Sequence, residues 1–124
     1  IDKINNLDDN TIIIQTGKLN YITNMLYSNK IDGIFAVNEI YAGAALRVLR
    51  KLGKAIPKDV ALICFTDGLI SRYSYPSLTT VKQHAEEIGK AAAGKLIERL
   101  ENEDDNLKYE QKVIKSVIIE REST

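Results

Sequence analysis

Between Asp32 and Gly53, DGIFAVNEIYAGAALRVLRKLG, the spacing of apolar residues changes period once, and that change limits what the whole chain can fold into. Gly33 to Val37 is a short uncharged apolar run, the pattern of a strand buried on both faces. Asn38 follows at once, with a side-chain oxygen able to cap a helix and a short body that tolerates a tight turn. From Ile40 onward Tyr41, Ala45, Val48 and Leu52 recur at helical spacing, while Arg47, Arg50 and Lys51 supply the wetter face and a cationic last turn. Gly53 stops the helix, and Ile56-Pro57 lies just beyond it. Strand, polar turn and helix form the unit of an α/β sheet. Ligands of such sheets sit at the carboxyl ends of the strands, which makes Asn38 the first candidate contact.

The same alternation runs along the rest of the chain. Residues 1–10 are mostly polar and read as a loop or lead-in. Thr11 to Gln15 is β-branched and apolar, hence a strand. Thr16-Gly17 turns the chain, and Leu19, Ile22 and Leu26 predict a helix of about three turns, ended by Ser28-Asn29-Lys30. Val60 to Phe65 is a second continuous apolar run, expected to be a central strand. Such strands separated by helices predict a parallel sheet with helices on both faces and right-handed crossovers. Thr66-Asp67-Gly68 is a turn signal, and the stretch around Pro76 is irregular. Leu78 to Val81 reads as a short strand, followed by a helix from Gln83 or His84 to about Glu101. Ile88, Ala92, Leu96 and Leu100 form its apolar stripe. Gly94 in its interior costs about 1 kcal/mol against alanine, which predicts a packing reason. Glu101 to Asn106 reads as an exposed loop and Val113 to Arg121 as a last, edge strand.

Several kinds of chemistry are excluded early. Seventeen basic residues balance seventeen acidic ones, so this chain has no electrostatic footprint for gripping a phosphate backbone. Cys64 is the sole cysteine and His84 the sole histidine, which leaves no metal constellation and no internal disulfide. A lone thiol inside an apolar run reads as a packed core residue and suits a reducing compartment. No stretch is long enough for a membrane span. The chain carries no G-x-S-x-G elbow, no P-loop and no GxGxxG, and nothing assembles a nucleophile, a base and an orienting group. The expectation is a protein that is not an enzyme, with no catalytic residue, no metal and no cofactor. Two polar turns remain, Asn38-Glu39 and Thr66-Asp67, each following an apolar strand. In a parallel sheet both emerge on one edge, where an amide, a hydroxyl and a carboxylate can converge on a polar ligand or simply cap helices and turns.

The run from Ile31 to Gln83 resembles the effector-binding region of the LacI/GalR family of bacterial transcription regulators. The features in common are an apolar strand with Asn38 after it, a helix of small residues ending in a glycine, Ile56-Pro57 with Asp59, a second apolar strand, Arg72-Tyr73, Pro76, and Leu78-Thr79-Thr80-Val81 with Gln83. The ending Glu120 to Thr124 is also similar to that of the family. The resemblance implies a periplasmic-binding-protein-like fold of two α/β subdomains with a small effector, a sugar or a nucleobase-like compound, between them. This chain, residues 1–124, would then be mainly the C-terminal subdomain of the effector-binding domain. Residues 84–106 would belong to the absent N-terminal subdomain, and the DNA-binding head would also be absent.

Residue by residue, the resemblance implies that Asn38 and Gln83 face the effector, with Thr66 and Asp67 as further ligand contacts. Thr66 stands where the family usually has a carboxylate, and Glu39 where it has Asp. A hydroxyl there replaces a charged acceptor. Ala42, Leu46 and Tyr73 become candidate dimer-interface residues of a homodimer. The function implied is a small-molecule-sensing and dimerising domain of a cytoplasmic regulator that reaches DNA only through its missing head. The alternative is a sugar-binding protein of a transport system. The Ile88 stripe, short of its usual partner, is expected to dock on this chain's own sheet or on a second copy.

Overall fold

The computed structural model describes residues 11–14, 19–28, 30–102 and 110–124. The readings of residues 1–10 as a lead-in, of Thr16-Gly17 as a turn and of 103–106 as an exposed loop lie outside these. The chain divides into two compact units: residues 1–82 with 118–124, and residues 83–117.

The first unit is built from β1 (Thr11–Ile14), α1 (Leu19–Ser28), β2 (Gly33–Ala36), α2 (Glu39–Lys51), β3 (Ala61–Phe65), α3 (Leu69–Tyr73) and β4 (Thr79–Lys82). β1, β2, β3 and β4 lie side by side in chain order, each parallel to the next, with Ile34 opposite Leu62 and Cys64 opposite Thr80. An edge strand, β5 (Val117–Ile119), follows β4 in the sheet. When strand order follows chain order, every right-handed crossover returns to the same face. The expectation of helices on both faces is accordingly met on one. There Ile12, Ile14, Ile34, Ala36, Leu62 and Cys64 join Ile22 of α1 and Ala42, Ala45, Leu46, Val48 and Leu49 of α2 in one buried cluster. The alternate residues Ile13, Phe35, Ile63 and Phe65 are half-buried, with the rings of Phe35 and Phe65 centred 6.3 Å apart.

α2 begins and ends as its residues dictate. Asn38 is the cap, in extended conformation, with its Oδ1 accepting from the Tyr41 amide. Gly53 follows the helix at φ +67°, a left-handed conformation that a residue without Cβ adopts at little cost. α3 had no signature in the sequence. It is five residues long, has no side-chain cap bond of its own, and packs Ile70 against Gly43 of α2.

The second unit contains α4 (Ala85–Glu101), which starts after His84 in a left-handed conformation at φ 55°. Its first turn carries Glu86 and Glu87, and Lys90 pairs with Glu86 at 2.8 Å. Ile88, Ala91, Ala92 and Lys95 face Glu110, Lys112 and Ile114 across a cleft of about 420 Å³. Lys95 bridges to Glu110 at 2.7 Å and to Glu98 at 2.9 Å. α4 has no buried residue: Leu96 is 60 % exposed and Leu100 77 %. Ile88, Leu96 and Leu100 of the stripe are all exposed, and nothing described lies within 4 Å of a Cβ placed on Gly94 to supply the expected packing reason. The last strand is also shorter than its composition suggests, since Lys115 and Ser116 fall outside it and Val113 is 74 % exposed.

Candidate functional site

Because β2 and β3 are parallel neighbours, the turns that leave them open on the same rim. A direct contact ties those turns together. The Glu39 carboxylate reaches over α3, where the Ser71 amide donates to it in a long bond of 3.5 Å. A Cβ at position 68 would meet that carboxylate and push aside the end of the flexible Glu39 side chain. The expectation that the two turns share an edge is met. The Glu39 carboxylate serves as an acceptor for the first turn of α3.

Asn38 uses Oδ1 in its cap, at 3.0 Å from the Tyr41 nitrogen. Its amide N–H groups make no hydrogen bond among the described residues and remain available on the rim. Thr66 has φ +98°, an outlying conformation for a β-branched residue. Both of its backbone polar groups are held: its N–H donates to the Val81 carbonyl at 3.1 Å, and its carbonyl accepts from Ser71 Oγ at 3.3 Å. Its hydroxyl makes no hydrogen bond among the described residues, and no described side-chain polar atom is both buried and unpaired, so that hydroxyl is in reach of solvent.

Asp67 differs from its neighbour in every respect. Its side chain is only 4 % exposed. Oδ1 accepts from Arg121 at 2.5 Å and from Thr80 Oγ1 at 3.1 Å, and Oδ2 accepts from Arg72 at 2.8 Å. Burial alone would raise this carboxyl; hydrogen bonds from Arg121, then Arg72 and Thr80, outweigh it and hold the group below the ordinary carboxylate range. The carboxylate proposed from the sequence as a ligand contact is thus engaged by three of the chain's own side chains. Behind it, burial first of all pushes the Cys64 thiol up to about 11, so the thiol stays protonated and inert at neutral pH.

Arg121 was not singled out by its sequence context, because its partners lie 41 to 54 residues away. One guanidinium nitrogen donates to the Leu78 carbonyl at 2.7 Å and to Thr80 Oγ1 at 3.2 Å; the other meets Asp67. The residues that follow are equally engaged. Ser123 is fully buried: its carbonyl accepts from the Leu62 amide at 2.9 Å, and its hydroxyl accepts from the Thr79 amide at 2.8 Å and donates to the Leu62 carbonyl. Glu122 accepts from both the amide and the hydroxyl of Ser77. The only readable signal for this clasp was the ending Glu120 to Thr124, noted for its resemblance and not for a role.

Gln83 is half-buried and opens the second unit directly after β4. Of the residues expected at an interface, Ala42 and Leu46 are taken up by the chain's own core, whereas Tyr73 is 82 % exposed. Among the described residues no group of three His, Cys, Asp or Glu side chains could hold a metal ion, and no helix is long and apolar enough to cross a membrane.

Residues 9–124 match the family model described as a periplasmic binding protein-like domain. The ribose operon repressor of Halalkalibacterium halodurans is 34 % identical over 95 residues, which cover 76 % of this chain and 28 % of the repressor. The structure of the transcriptional regulator CelR in complex with cellobiose superposes with a TM-score of 0.79 at 29 % identity, covering 86 % of this chain and 32 % of that one. A LacI family regulator from Enterococcus faecium with bound ribose gives 0.76 at 30 % identity, covering 86 % and 39 %. The chain spans well under half the length of the curated relatives it matches.

Proposed function

Because the chain belongs to the periplasmic binding protein-like domains, in the form carried by LacI-type transcription regulators, we propose that it is the effector-sensing and dimerising part of such a regulator. The observation that carries this reading is the shared rim of β2 and β3, where the Asn38 amide and the Thr66 hydroxyl stand unpaired and the Glu39 carboxylate reaches the first turn of α3. Such a rim makes half of a small-molecule cleft, the other half coming from a second subdomain. The effector is a small polar molecule of the sugar class, in keeping with the cellobiose and ribose held by the two similar structures. Gln83 and α4 belong on the side of that second subdomain, whose packing would cover the bare Leu96 and Leu100. Regulation follows from differential affinity: an effector that binds the closed arrangement better shifts the protein toward it.

Dimerisation rests on a second feature. Ile40 on α2, Leu69, Ile70 and Tyr73 on α3, and Tyr75 just beyond are all exposed large apolar residues. A second copy of the chain is their proposed cover. The protein acts in the cytoplasm and meets DNA through a separate head, without catalysing a reaction.

Thermal unfolding in the presence of ribose, cellobiose or a free nucleobase tests the sensing role. An effector at a hundredfold its dissociation constant raises stability by about 2.7 kcal/mol. Failure of every compound to move the melting temperature refutes it. Sedimentation tests the dimer, which Tyr73→Glu should convert to monomer.

A further inference from the structure

The rim contains two adjacent residues with opposite fates. Thr66 has an outlying backbone at φ +98° and a spare hydroxyl; Asp67, its side chain only 4 % exposed, already accepts from three side chains. We propose that Arg121 is a positioning residue for the rim: acting through Asp67, it keeps the Thr66 backbone left-handed and so makes the Thr66 hydroxyl, not the Asp67 carboxylate, the group of this turn that meets the effector. The proposal rests on the sensing role argued above and adds to it the residue that sets specificity and the residue that sets its geometry.

Three observations carry it. Arg121 is largely buried, 18 % exposed, and is fixed at three acceptors, Leu78 O, Thr80 Oγ1 and Asp67 Oδ1. Arg72, the other cation on Asp67, is 49 % exposed and contacts only that residue. Asp67 is thereby anchored to β4 through Thr80 and to the chain's last residues through Arg121. Thr66, the residue before it, is pinned at its N–H by Val81 of the same β4 and at its carbonyl by Ser71. A residue held at the peptide groups on both sides of its Cα and at the next side chain is over-determined, which is the condition under which an outlying conformation persists. Sites that store such conformations cluster at ligand clamps, and the free hydroxyl is the group this one displays.

The test is solution NMR on the full 124-residue chain, with the three-bond HN–Hα coupling and backbone shifts of Thr66 as readout and the amides of Ile34 and Leu49 as reference. Arg121→Met and Asp67→Asn are each expected to move Thr66 out of the left-handed region while the reference amides stay put. Arg121→Lys keeps the charge and is expected to retain part of the left-handed population; it and Asp67→Asn serve if Arg121→Met does not fold. Unchanged Thr66 coupling in both Arg121→Met and Asp67→Asn overturns the positioning role. In titrations with ribose and cellobiose, Thr66→Val should weaken binding about tenfold, the loss of one hydrogen bond. Binding indifferent to Thr66→Val overturns the assignment of the hydroxyl. These titrations use the regulator with its second subdomain; if that wild-type protein binds neither saccharide, the sensing role falls, while the spectra still decide whether Arg121 governs Thr66.

Discussion

α2 and α4 invite comparison. Both are amphipathic helices rich in alanine, and α4 is the longer, with seventeen residues against thirteen. α2 buries Ala42, Ala45, Leu46, Val48 and Leu49; α4 buries nothing. The first sits on a sheet whose two neighbouring strands present Ile34, Ala36, Leu62 and Cys64 to it. Among the described residues, the second faces Glu110, Lys112 and Ile114 across a cleft. Periodicity thus identifies a helix and its greasy side, but leaves open what that side is for. In α2 the stripe is a foundation of this chain; in α4 it is a face left bare.

The sharpest way to break this contrast is to truncate one leucine in each helix. Leu49→Ala, at a position with no exposure, should cost about 3 kcal/mol in urea unfolding, the usual range for a buried leucine. Leu96→Ala should lie within about 0.5 kcal/mol of wild type, as for surface positions. Equal losses would mean that α4 is built into the core after all.

A smaller effect separates the clasp at Asp67 from the surface pairs of α4. Arg121→Met removes a charged donor from a buried carboxylate and should cost about 2 kcal/mol at neutral pH. The same pair sets an acid limit. A carboxyl held below its ordinary value adds stability above the unfolded value, about 3.9, and that stability is lost as pH falls through the folded value. Unfolding followed from pH 6 downward should show stability dropping below about pH 4, and Asp67→Asn should flatten that part of the profile. The smallest effect concerns Cys64. With its thiol near 11, alkylation by iodoacetamide at pH 8 should be slow in the folded chain and fast in urea. Rapid native labelling would mean that the region behind the rim opens readily.

How much could be read from the residues alone follows the distance over which each feature is decided. The β2 turn into α2 was legible because Asn38, the apolar spacing and Gly53 all act within one turn of themselves. Helix α3 was not, since five residues give no period and its first-turn amide is met by Glu39, thirty-two positions upstream. Asn38 and Thr66 were singled out as ligand contacts; among the described residues the Asn38 side-chain N–H groups and the Thr66 hydroxyl make no hydrogen bond. Asp67 was grouped with them because its type suits a ligand. Only the fold brings Arg121, Arg72 and Thr80 onto it. The half-buried side of the sheet, with Phe35 and Phe65, was likewise invisible: continuous apolar strands promise cover on both faces, whereas strand order decides which face receives it.

The strand of backbone and side chain from Arg121 to Thr124 has a consequence for how the molecule is made. Leu62 and Thr79, in the middle of the sheet, are joined through Ser123, 61 and 44 residues further along. A ribosome delivers those residues only after the four β-α segments before them have been made. Until then the centre of the nascent sheet has open backbone groups and an apolar surface, the condition in which newly made chains stick to one another. Closure of the sheet therefore waits on one serine made well after the strands it joins.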